Sequence, residues 1–124
     1  MAKTIASLIG VVFILVGIVG FFTPHLMETH LTPAHNIVHL VSGAVSLYIG
    51  TKGSLSGARS FCIIFGLVYG LLGVCGYLLG KPDHLLTISD PQLMFGTMDH
   101  YIHIAIGLLY LIGGFGTKTS AASA

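Results

Sequence analysis

The sequence contains no tryptophan, only two cysteines, and few formal charges: five Lys or Arg and four Asp or Glu in 124 residues. Each shortage excludes something. With 7% charged residues against 54% hydrophobic ones, and a mean hydropathy of +0.94, the chain cannot coat a water-facing surface, which excludes an ordinary soluble domain. The sparse basic residues form no patch, which excludes a nucleic-acid partner. Cys62 and Cys75 fall in one apolar run. On a helix they point about 140° apart with about 20 Å of rise between them, so they form no disulfide with each other and read as small packing residues. The sequence also lacks an H-E-x-x-H zinc motif, a phosphate loop and any nucleophile, base and acid in recognisable order, which argues against an enzyme.

What the sequence does have is apolar runs of bilayer length, about 17–20 residues, at 5–22, 34–49, 61–79 and 98–115. They predict an all-α membrane protein, a bundle of four transmembrane helices forming a single domain over 1–124, with 116–124 as a flexible tail. The first run is long for the apolar core of a secretory signal and has no small-x-small cleavage site, so it reads as a retained helix. Lys3, Lys52, Arg59 and Lys118 fall at the amino terminus, the middle connection and the carboxyl tail. Glu28, Asp83, Asp90 and Asp99 fall on the other side with Lys81. The positive-inside rule then predicts both termini in the cytoplasm and the connections at 23–33 and 80–97 facing outward. A bacterial inner membrane or a thylakoid membrane is the expected location, with the lipid bilayer as the first partner.

The runs repeat. Laying the first on the third matches Gly10, Gly17 and Gly20 with Gly66, Gly73 and Gly76, and Phe13 and Phe21 with Tyr69 and Tyr77. Laying the second on the fourth matches His39, Gly43, Leu47 and Gly50 with His103, Gly107, Leu111 and Gly114. The reading is a duplicated helical hairpin, a parallel repeat of 5–50 and 61–115, whose pseudo-two-fold axis runs along the membrane normal. Equivalent residues then sit at equal depth. Thr32 before Pro33 predicts the start of the second helix, and the fourth is expected to start near Thr97. Ser89-Asp90-Pro91 repeats the Thr-Pro grammar and predicts a short surface helix before the fourth span. The glycines, including a GxxxG at 66–70, read as helix contacts.

All seven histidines, at 25, 30, 35, 39, 84, 100 and 103, fall in the outer connections or in the first turns of the second and fourth helices. His35 and His39 share a helix face, as do His100 and His103. Below His39 the face continues through Gly43, Ser46 and Gly50, and below His103 through Gly107, Tyr110 and Gly114. Small and polar residues avoid lipid, so both imidazoles are expected to point into the bundle.

Three uses follow from that arrangement. One is a transition-metal site, zinc or copper, on His35, His39, His100, His103 and Asp99, with Glu28, Met27, Met94 and Met98 as further donors nearby. Another is a porphyrin, with His39 and His103 as axial ligands to haem iron or one of them to a chlorophyll magnesium. The third is structural: buried histidines hydrogen-bonding to Asn36, Asp99, Ser42, Ser46 or Tyr110, at about 0.6 kcal/mol each in a membrane. His25, His30 and His84 read as solvent-facing.

His-Asn-Ile-Val-His-Leu at 35–40, the following Gly43, and Asp99-His100-Tyr101-Ile102-His103 resemble a family of small bacterial four-helix membrane proteins of unknown function. The resemblance covers nearly the whole chain. It implies that His35, Asn36, His39 and His103 are family positions, and it implies no activity. The leading expectation is a non-enzymatic membrane protein with an outward histidine cluster that binds a metal or metal-centred cofactor. The competing one is an accessory subunit that packs by its glycine faces into a homo-oligomer or a larger membrane complex.

Overall fold

A computed structural model describes residues 1–89 and 92–118. Its main elements are α1 (Ala2–Gly20), α2 (Pro33–Lys52), α3 (Leu55–Leu79) and α4 (Thr97–Phe115). A 3-10 turn at Leu26–Glu28 lies between α1 and α2, and strands β1 (Leu86–Ile88) and β2 (Leu93–Phe95) lie between α3 and α4. Local chemistry sets the helix starts. The Thr32 hydroxyl accepts from the His35 backbone N–H at 3.3 Å, with Pro33 at the first helical position. Ser54 does the same for α3, accepting from Gly57 N at 2.9 Å. At α4 the Asp99 carboxylate reaches back to accept from Gly96 N at 2.8 Å.

Among the described residues, three helices, α1, α3 and α4, are long and apolar enough to cross a membrane. α2 has the length, at 20 residues. It carries His35, Asn36, His39, Ser42, Ser46, Thr51 and Lys52, and this polar load keeps it out of that set. The outward faces of the long helices carry an apolar belt that includes Leu8, Leu15, Ile64, Leu71, Leu108 and Ile112. Surface of that kind is built for lipid contact rather than for water.

α1 packs mainly on α2, and α3 mainly on α4. The two hairpins join through α1 against α4 and α3 and through α2 against α3, which leaves α2 and α4 on the diagonal. Ala2, Thr117 and the start of α3 lie at one end of the bundle: Ala2 N donates to the Thr117 hydroxyl at 2.8 Å, and Arg59 Nε donates to Thr117 O at 3.0 Å. The 3-10 turn and the β-hairpin lie at the other end.

Within each hairpin the backbones touch at glycine. A Cβ on Gly10 would stand 2.6 Å from Leu47 N and 2.8 Å from Gly43 O, and one on Gly66 would stand 3.0 Å from Gly107 O and against the Leu111 side chain. The same residue pairs recur further along: Gly17 meets Leu40 and the Asn36 carbonyl, and Gly73 meets Ile104 and the His100 carbonyl. Burial recurs too. The buried positions of α2, at His35, Asn36, His39, Gly43, Ser46 and Gly50, find counterparts in α4 at Asp99, His100, His103, Gly107, Tyr110 and Gly114.

The second outer connection departs from expectation. Where a short helix was predicted from Ser89-Asp90-Pro91, β1 and β2 pair antiparallel, with Leu86 opposite Phe95 and Ile88 opposite Leu93; Asp90 and Pro91 themselves lie outside the described residues. Thr87 and Ile88 are β-branched and Phe95 is aromatic, residue types that favour strands. The Thr32 hydroxyl donates to Gln92 O at 2.7 Å and so ties this hairpin to the start of α2.

Gly10 and Gly70 should separate in their response to a methyl group. Gly10→Ala drives a Cβ into the α2 backbone and is expected to cost about 1–3 kcal/mol. Gly70, where a Cβ meets nothing within 4 Å, is expected to tolerate alanine or gain about 0.5–1 kcal/mol. Unfolding of the purified protein in detergent compares the two.

Candidate functional site

The N-terminal ends of α2 and α4 bring three buried imidazoles together. Those of His35, His39 and His103 each offer a ring nitrogen, and these nitrogens all lie within 4.8 Å of one another. Aromatic residues from three elements hold the rings. Phe13 of α1 stacks on His39 with centroids 5.3 Å apart and planes 10° apart, and Tyr69 of α3 lies 5.7 Å from His103. Phe95 of β2 turns its edge to His35 at 5.0 Å and to His103 at 5.3 Å, closing the cluster from the outer end.

Hydrogen bonding distinguishes the three. His35 Nδ1 donates to the His30 carbonyl at 3.0 Å, which leaves Nε2 with its lone pair. His39 Nδ1 and His103 Nδ1 are buried and have no hydrogen-bond partner. Buried polar atoms are nearly always satisfied, and leaving one bare costs about 1–3 kcal/mol. The structural reading required partners for these rings. Yet Ser46, one of the partners expected for them, is engaged elsewhere: its hydroxyl lies 2.7 Å from Ala6 O and 2.9 Å from the Tyr110 hydroxyl.

Asp99 and His100 fall outside this trio. The Asp99 carboxylate is a structural anchor, accepting from His30 N at 3.2 Å, from the His30 ring at 3.0 Å and from Gly96 N. The His30 carbonyl is in turn the acceptor that orients His35. Asp99 therefore acts on the cluster through His30, which the sequence had suggested as solvent-facing and which is half-buried. His100 lies on the α3 side, where its Nε2 donates to His84 O at 2.6 Å and its ring meets Tyr77 edge-on. His84 and His25 are exposed, and the His84 ring stacks on Tyr77 with centroids 3.9 Å apart. Met27 lines the cavity beside the cluster, whereas Met94 lines a separate shallow recess with His25 and His30.

A cavity of about 90 Å³ adjoins the three imidazoles, walled by Val12, Phe13, Val16, Leu26, Ile102 and Ile106, with Met27, Thr29 and Asp99 among its other lining residues. Ligand pockets for drug-sized molecules run to about 300–1,000 Å³. A porphyrin needs more room than this cavity has, and Phe13 and Phe95 occupy the flanks of the rings that would be its axial ligands. A single ion fits. Metal–nitrogen bonds of about 2.0–2.1 Å require donor nitrogens about 3.5 Å apart, a contraction within reach of small ring rotations.

The sequence had pointed to His35, His39 and His103 but not to Phe95, His30 or Thr29. Phe95 lies in the insertion, and no periodicity connects it to the helices. A family model described as a domain of unknown function (DUF4383) matches residues 3–116. No curated protein and no solved structure matches the chain.

Removing the anchor tests its role. Asp99→Ala leaves three N–H donors without their acceptor and is expected to cost about 1–3 kcal/mol. Faster hydrogen exchange at the His30 amide should accompany the loss; unchanged exchange would show that His30 is held by something else.

Proposed function

The chain belongs to the DUF4383 family, described only as a domain of unknown function, and from its own residues we propose that it is a membrane protein that binds one transition-metal ion. His35, His39 and His103 are the ligands in this reading. The observation that carries it is the gathering of three buried imidazoles, each offering a ring nitrogen within 4.8 Å of the others; His39 Nδ1 and His103 Nδ1 also have no hydrogen-bond partner, as is true of His100 Nδ1 outside the cluster. A metal ion would sit between the three offered nitrogens. The His35 Nδ1–H to carbonyl bond is the support a metal-bound histidine needs, since it fixes the tautomer and the ring plane. Neutral imidazole is the common donor to zinc, copper and iron.

The frame in this proposal is a duplicated hairpin in which all four helices span the bilayer, α2 shielding its polar face against the other three. Matching glycine contacts and matching burial in α2 and α4 support the duplication. Both termini are cytoplasmic in the proposal, because the basic residues gather at their end of the bundle, and the imidazoles then sit at the outer face. In this reading Asp99 and His100, expected as ligands alongside the trio, have supporting places: one anchors His30, the other joins α4 to the connection after α3.

Metal content of the detergent-purified protein decides the site. The wild type is expected to hold about one ion per chain and the His39→Ala/His103→Ala double variant none, while His100→Ala retains it. Equal metal in wild type and double variant would end the proposal. Lowering the pH should release the ion, because protonated imidazole has no lone pair to give. Orientation is checked separately. With the native cysteines replaced by serine, Thr87→Cys should react with an impermeant thiol reagent on intact cells and Lys118→Cys should not; the opposite pattern would invert the topology.

A further inference from the structure

The charges around the three imidazoles bear on which ion they hold. All three donors are neutral. Asp99 is the one carboxylate lining the cavity among the described residues, and its oxygens already accept from His30 and Gly96. Glu28 is exposed on the neighbouring 3-10 turn and does not line the cavity. The surroundings therefore offer an ion one negative charge at most, in a cavity whose wall is mainly apolar. The cost of holding an ion in a low-dielectric site grows with the square of its charge, so a divalent ion meets about four times the penalty of a monovalent one.

Coordination number points the same way. Zinc in protein sites takes four ligands, three from the protein and a water where the site is open. Here the fourth position would face a cavity walled mainly by aliphatic and aromatic side chains. A buried water needs about two to four polar partners. Apart from the imidazoles, the Thr29 hydroxyl and the Asp99 carboxylate are the polar groups in this wall that could accept from such a water, and the rest of the wall is apolar. Monovalent copper accepts three nitrogen donors without a fourth, and the thioether of Met27, which also lines the cavity, is a soft donor compatible with it.

We infer that the site is selective for monovalent copper, Cu(I), and discriminates against divalent ions, because three neutral imidazoles and a single carboxylate line an apolar cavity. This rests on the metal-site reading above and adds the identity of the ion. No reaction is implied: the ion enters and leaves as Cu(I).

The test uses the full chain in detergent under anaerobic conditions. Cu(I) is titrated against a chromogenic chelator, zinc against a fluorescent one, and Cu(II) is followed by electron paramagnetic resonance. The expected result is about one Cu(I) per chain, with zinc and Cu(II) each held at least about 100-fold more weakly, the equivalent of about 2.7 kcal/mol. Zinc or Cu(II) bound within tenfold of Cu(I) would overturn the selectivity and leave the metal site standing. Failure of all three ions to bind would overturn the metal site itself. Ile102→Asp places a second carboxylate on the cavity wall and should narrow the gap between Cu(I) and zinc. An unchanged gap in the folded variant would refute the charge argument, and if the variant does not fold the wild-type titrations still decide.

Discussion

Backbone contact at glycine sets the spacing on which the rest of the bundle depends. In a bilayer, lipid tails satisfy apolar side chains as well as another helix does, so helices associate through close van der Waals contact and a few polar bonds rather than through the hydrophobic effect. Gly10 on Gly43, and Gly66 on Gly107, allow each hairpin to close until main-chain atoms meet. Only because both hairpins are this tight do side chains from the diagonal helices α2 and α4 reach one another, as Ser46 and Tyr110 do at 2.9 Å. The histidine cluster is a second consequence of the same closeness, one layer nearer the outer end.

Those two layers of the diagonal are treated differently. In the inner one, the Ser46 hydroxyl finds both Ala6 O and the Tyr110 hydroxyl, and every buried side-chain polar atom of that pair is satisfied. In the outer one, His39 and His103 keep bare Nδ1 atoms inside a cage of Phe13, Tyr69 and Phe95. The fold is thus able to satisfy polar groups on its axis and does so one layer down. In the proposed metal site, unpartnered ring nitrogens beside a satisfied layer are the cost in stability of holding donors ready for an ion.

Much of this was legible in the sequence, for identifiable reasons. Apolar runs of bilayer length announced the helices, and Thr32-Pro33 and Thr97 marked the starts of α2 and α4. The small and polar stripe below His39 and His103 indicated that both face inward, and both are buried. The apolarity of α2 was overestimated because its polar face is interrupted by valines and isoleucines that turn outward. The second outer connection was misjudged because Ser89-Asp90-Pro91 has the grammar of a helix start but stands between two short strand-forming segments. Separating His103 from His100 was beyond the pattern: at a spacing of three residues both lie on one broad face, and only the position of α3 decides that His100 turns toward Tyr77.

The proposed duplication also bears on why the proposed metal site has three ligands rather than two or four. A strictly repeated frame presents residues in pairs, and His39 with His103 is such a pair. The position matching His35 in the second hairpin is Asp99, and here the two halves part. A second imidazole at that position would compete for the same ion and leave His30 unanchored. As a carboxylate, Asp99 instead fastens the His30 backbone and ring, and the His30 carbonyl fastens the His35 ring. The two non-equivalent residues therefore act in series on one imidazole, one as the proposed ligand and the other as the support that aims it. In the proposed site, the difference between His35 and Asp99 leaves three imidazole ligands with one charge at their margin.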